Sequence, residues 1–192
     1  MSSVSHLSAP QRMTVEQFMT LPELEIGHRE LVEGEVVVCL PTFAHEQAVL
    51  NLAAELRSWQ RAAPGRGTIS LPIATAAGPT SVLGPDLQWW ADGRELPGPY
   101  TRPHPLGDLV IEVRSPSTWA VDVGRKRRVY EREGVRELWL VDPLSRTVLV
   151  FARSSARAGE FDDARDLGPD DALESPLLPG FRLPVADVFI GV

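Results

Sequence analysis

The sequence predicts an α/β fold, a central mixed β-sheet flanked by helices and preceded by a short helix and a β-hairpin. Three observations carry this reading. Runs rich in β-branched residues recur between Gly and Pro breaks. One of them, Leu109 to Val113, is nearly all apolar, the pattern of a strand covered on both faces. Helical stripes are interspersed with these runs rather than set apart from them. The 192 residues fit one domain, because a chain near this length buries roughly 70% of its unfolded surface. Residues 1–12, Ser-rich and aperiodic, read as a flexible tail, which leaves 13–192 as the domain.

Taken in order, Thr14 followed by Gln17 has the outline of a capping box, so a short helix starts there and stops near Pro22. Glu30 to Leu40 reads as a hairpin turning at Glu33–Gly34, where glycine tolerates positive φ, and Pro41 ends its second strand. From Ala44 to Arg61, Val49, Leu52, Ala53, Leu56 and Trp59 recur every three or four residues, an amphipathic helix halted by Pro64–Gly65. Gly67 to Ala76 reads as one strand and Asp86 to Trp90 as another. Alternation on the second buries one of Trp89 and Trp90 and turns the other toward helix or loop, with core packing favoured over base stacking. Residues 92–107, rich in Gly and Pro, read as an irregular loop. Asp108 to Arg114 is the central strand, and Ser117 or Thr118 caps a helix from Val121 to Glu133 that Gly134 ends. Glu137 to Asp142 and Thr147 to Phe151 form two strands joined at Pro143 to Arg146, and the segments 177–181 and 188–190 read as edge packing.

Composition narrows the classes. With 43% hydrophobic and 23% charged residues the chain is neither fibrous nor broadly disordered. A formal net charge of −7 argues against a broad DNA-coating surface, yet a site that holds a cation must itself be acidic. The single cysteine, Cys39, sits in an apolar run, so an internal disulfide is impossible and a buried thiol is expected. No apolar run approaches the roughly 20 residues that span a bilayer, and the start lacks the order of a signal peptide; a cytoplasmic protein is expected.

The chemistry lies in two acids at strand positions, Asp86 after Pro85 and Glu112 inside the apolar run. An ionised carboxylate in a central strand is costly unless it is paired or binds a cation. Two converging from adjacent strands can hold Mg²⁺, which takes one or two carboxylates plus water and phosphate oxygens. On the next helix Asp122, Lys126 and Tyr130 are spaced by four and share a face. Lys126 can project over the end of the Glu112 strand and orient a water or stabilise charge on a phosphate. Each residue alone reads equally as a salt-bridge partner; the ordered set on strand, strand and helix favours a site. Asp122 either orients Lys126 or suits the helix dipole. The basic run 125–128 either meets DNA phosphates or is solvated. His45, opening the long helix, either contacts a phosphate or caps and packs.

The run from Arg29 to Glu35, His45, Gly84 to Leu87, Leu109 to Thr118, Asp122 with Lys126 and Tyr130, and Gly134 to Pro143 together resemble the Uma-two family of restriction-endonuclease-like proteins. The match spans roughly Thr14 to Val192. It implies a PD-(D/E)XK, restriction-endonuclease-like core with Asp86 and Glu112 as metal ligands and a catalytic lysine moved onto the helix as Lys126, since Arg114 occupies the usual lysine position. It also implies Glu30 as a further acid of the site, against the alternative of an exposed hairpin charge. The function expected is Mg²⁺-dependent hydrolysis of DNA phosphodiesters, with Mn²⁺ as a substitute, by a homodimer that cuts two strands. The alternatives are an idle binding or regulatory module of the same fold and a hydrolase of small phosphoesters.

Overall fold

In the computed structural model, residues 12–22, 24, 27–116 and 118–192 are described. The expected flexible tail, apart from Arg12, and the capping role of Ser117 lie outside the described residues.

The first helix, α1 (Val15–Met19), carries the capping box in full: the Thr14 hydroxyl accepts from Gln17 N–H while the Gln17 side chain accepts from Thr14 N–H. The hairpin pairs β1 (His28–Val32) with β2 (Glu35–Cys39). Its two turn residues, Glu33 and Gly34, have φ of 51° and 84°, the left-handed pair that a two-residue turn of matching twist demands. Thr42 caps α2 (Phe43–Arg61), whose stripe of Val49, Leu52, Leu56 and Trp59 is buried as the spacing predicts.

The interval read as one strand from 67 to 76 is two short ones in different sheets, β3 (Thr68–Ser70) and β4 (Thr75–Ala76). Next come β5 (Val82–Leu83) and β6 (Leu87–Trp90). Both Trp89 and Trp90 are buried; alternation does send them to opposite faces, but each face is covered. The presumed loop 92–107 contains a two-residue strand, β7 (His104–Pro105), parallel to β4. The central strand β8 (Leu109–Val113) is buried throughout.

The helix after β8 is a compound one: α3 (Trp119–Val121), a π-helical turn over Asp122–Lys126, then α4 (Arg127–Arg132). It starts two residues earlier than its pattern suggests. Thr118 makes no side-chain cap, because its hydroxyl donates to Asp122 Oδ2 instead. Then β9 (Glu137–Asp142) and β10 (Thr147–Ala152) form the expected hairpin, and β11 (Asp163–Leu167), unrecognised in sequence, extends it. The chain closes with β12 (Ala172–Leu173), β13 (Leu183–Pro184) and α5 (Val185–Val188).

One mixed sheet has the order β11-β10-β9-β8-β6-β3, with β8 and β9 parallel; a second has the order β2-β1-β5-β4-β7. Alternation along β8 assigns its faces. Leu109, Ile111 and Val113 meet α2 and the C-terminal segment, while Val110 packs with Val32, Leu83, Val129 and Tyr130. Glu112 has the parity of Val110 and so belongs to the face shared with the hairpin and the compound helix. The C-terminal segment is core rather than edge packing: Leu178, Phe181, Val185, Val188 and Phe189 are buried against α2 and the sheet. No described helix is long and apolar enough to cross a membrane.

Candidate active site

Strands β6 and β8 run antiparallel with Leu87 opposite Ile111, so the residues one step outward, Asp86 and Glu112, face each other across the same register. Both line one small cavity, with His45, Asp122, Lys126 and Cys39. Its volume of about 10 Å³ is that of a single small occupant such as one water.

Asp86 is fixed from two sides. Its Oδ2 accepts from Val113 N–H at 2.7 Å, and its Oδ1 lies 3.3 Å from His45 Nε2. Nδ1 of His45 stands 3.1 Å from the Val113 carbonyl, which can only accept, so Nδ1 carries a proton. Burial disfavours a charge on this ring, but the hydrogen bond and charge of Asp86 outweigh it and raise the His45 pKa. His45 is thus buried and paired with the site acid Asp86, a role that neither of its two sequence alternatives names.

Lys126 is the hub. Its Nζ lies 2.6 Å from Glu112 Oε1, 2.9 and 3.0 Å from the two oxygens of Glu30, and 3.2 Å from Asp122 Oδ1. The π turn closes an i→i+5 hydrogen bond from Arg127 N–H to the Asp122 carbonyl, and within it Asp122 and Lys126 lie together over the strand. Glu30 is wholly buried, not the exposed hairpin charge that was its alternative. Burial pushes its carboxyl up, but Lys126 and the Gly84 N–H at 2.7 Å overcome that and hold it below the ordinary carboxylate range. Glu112 moves the other way, well above that range, because burial and three neighbouring acids outweigh its share of Lys126. One ammonium cannot neutralise both; Glu30, with two bonds to it and a backbone donor, keeps the charge. Asp122 is likewise raised, first by burial. Its Oδ1 has Lys126 Nζ at 3.2 Å as its partner. The lysine itself is held protonated far above its usual value, since Glu112 and Glu30 overcome its desolvation.

Two partners went unassigned in sequence. Tyr130, on the same helix face as Lys126, donates its hydroxyl to Glu112 Oε1; its spacing was visible, its partner was not. Cys39 Sγ lies 3.5 Å from Glu30 Oε2, and burial with that neighbour drives its pKa upward, so the thiol is inert as expected. Arg114, at the position a lysine would ordinarily take, turns to Asp142 at 2.7 Å and lies over the Trp119 ring. Three of the four residues of the basic run are engaged within the protein, and Arg128 is exposed. Arg125 binds Glu33, Glu35 and the Val32 carbonyl, Lys126 is buried, and Arg127 pairs with Glu131 over Phe151. Among the described residues no three His, Cys, Asp or Glu side chains form a ready-made metal cage.

An acid at the head of one strand, a second opposite it on the neighbouring strand and a lysine reaching in from the following helix define a restriction-endonuclease-like fold. A crystal structure described as a putative nuclease belonging to DUF820, from Anabaena variabilis, superposes with a TM-score of 0.74 at 21% identity, over 93% of this chain and 98% of that one. The model of the Uma2 family, described as "putative restriction endonuclease", matches residues 15–186. The chain belongs to the Uma2 family. No curated protein matches it.

Proposed function

We propose that this protein is a divalent-metal-dependent endonuclease acting on DNA. The observation that carries the reading is the facing pair Asp86 and Glu112 with Lys126 Nζ 2.6 Å from Glu112 Oε1. The residues fit a hard cation. Four acids, Glu30, Asp86, Glu112 and Asp122, share one buried centre with a single lysine and His45. Such an excess of acid is relieved by a cation. Asp86 and Glu112 would hold Mg²⁺, or Mn²⁺ in its place, with waters and phosphate oxygens completing the shell. A divalent ion there supplies Lewis-acid stabilisation and a more acidic bound water.

The chain's own groups then divide the work. Lys126, held protonated, cannot be the base; its charge stabilises negative charge growing on the phosphate. Glu30 and Asp122 hold the amine in place, and His45 orients Asp86. Two copies would be needed to cut both strands of a duplex, and the work would be done in the cytoplasm.

The test is single-turnover cleavage of plasmid DNA with Mg²⁺ or Mn²⁺, beside calorimetric titration of Mn²⁺. Wild type should bind and cut, and Asp86→Asn should do neither while remaining folded. The second reading, an idle binding module, draws on the net charge of −7 and on the engagement of Glu112 by Lys126. Absence of cleavage under either metal would establish it in place of the nuclease. Cleavage of small phosphodiesters without cleavage of DNA would replace the substrate.

A further inference from the structure

Tyr130 is completely buried on α4, packed with Val110, Val129 and Leu138. For packing alone phenylalanine would serve, since a buried hydroxyl is costly without a partner. This hydroxyl has one: it donates to Oε1 of Glu112. The same oxygen receives Lys126 Nζ at 2.6 Å. The lysine divides its donors among Glu112, Glu30 and Asp122, so it does not by itself fix how the Glu112 carboxylate is turned. A phenol has a single proton and a ring clamped by the core.

We infer that Tyr130 is a positioning residue for the cation site: its hydroxyl commits Oε1 of Glu112 to the protein and so sets how that carboxylate is presented to a divalent ion. The inference rests on the reading of Asp86 and Glu112 as ligands. Its physical content is the general one for ligating carboxylates, whose own hydrogen-bond partners fix orientation and whose loss weakens metal affinity about 10- to 100-fold.

Tyr130→Phe removes the hydroxyl and keeps the ring. Calorimetry should show Mn²⁺ bound about 10- to 100-fold more weakly than by wild type, while cleavage at saturating Mn²⁺ returns to within a few-fold, roughly as expected when the lost contact serves binding more than the transition state. A purely structural tyrosine would lower the melting temperature and leave the Mn²⁺ affinity unchanged, and that result overturns the inference. Wild type that binds no Mn²⁺ would instead remove the metal reading itself.

A second measurement uses no substitution. The chain has two tyrosines, Tyr100 at 98% exposure and Tyr130 at 0%. Incorporated 3-fluorotyrosine therefore gives one exposed and one buried ¹⁹F resonance. Mg²⁺ should shift the buried signal and leave the other in place. An unmoved buried signal, in protein that calorimetry shows to bind Mg²⁺, overturns the proposal.

Discussion

Lys126 balances three carboxylates within 3.2 Å from a position with almost no solvent access. Lys126→Met strips that compensation from Glu30, Glu112 and Asp122 at once, and removing one partner of a buried ion pair costs about 3–5 kcal/mol. Urea unfolding at pH 7 should show a loss of this size, smaller at pH 5, where the acids take up protons. Under conditions where the variant is folded, cleavage should slow by a factor on the order of 10² or more. Stability equal to wild type at pH 7 would mean that the acids are already neutral. Asp86, Glu112 and Lys126 were legible in sequence because a charge inside an apolar strand, and a lysine at helical spacing from an acid, are local anomalies. The neutralisation of Arg125 was not. Its partners Glu33 and Glu35 lie 92 and 90 residues away, and nothing in the run itself announces them.

The β1–β2 hairpin shows how an element reaches into the site. Glu30 sits three residues before the turn, paired with Val37, so the turn's register decides where its carboxylate falls. A side chain at Gly34 must adopt φ near 84° and meets Arg12 Cβ at 2.6 Å. Gly34→Ala should cost about 1–2 kcal/mol, measured by thermal melting, with a concurrent loss of Mn²⁺ affinity if the register slips. Unchanged melting would show that the turn relaxes freely. This hairpin, α2, β8 and the β9–β10 pair could be read from sequence because each spans enough residues to display a period or a turn signal. Strands β4, β5, β7, β12 and β13, two residues each, cannot display one. For the same reason the C-terminal segment passed for edge packing, although its apolar residues fill the core. The π turn had no sequence mark beyond Gly124, a residue that favours no one helical form.

Across the whole molecule, the shifted groups sum to a pH dependence with a definite sign. Glu112, Asp122 and Glu137 are raised, first by burial, and His45 is raised against burial by Asp86. The folded state thus binds protons that the unfolded chain releases, and stability falls as pH rises from the unfolded carboxylate range through neutrality. Glu30 and Asp142 are lowered: burial opposes this in both, but Lys126 and Arg114 respectively prevail. Their stabilisation is lost as pH falls below the usual carboxylate range. Metal-free protein should therefore melt highest on the mildly acid side, near about pH 5, and millimolar Mg²⁺ should raise the melting temperature more at pH 8 than at pH 5. A metal-free profile flat from pH 5 to 8 would contradict the excess of acid at the centre.

The centre is also gathered from far along the chain. Glu30 and Lys126 are 96 residues apart, and β8 is joined by hydrogen bonds to β9, which follows the lysine-bearing helix. During synthesis Glu30, Asp86, Glu112 and Asp122 emerge first, and the lysine comes later. A nascent chain that stops short of Lys126 thus carries the acids of the centre without the ammonium that pairs with three of them.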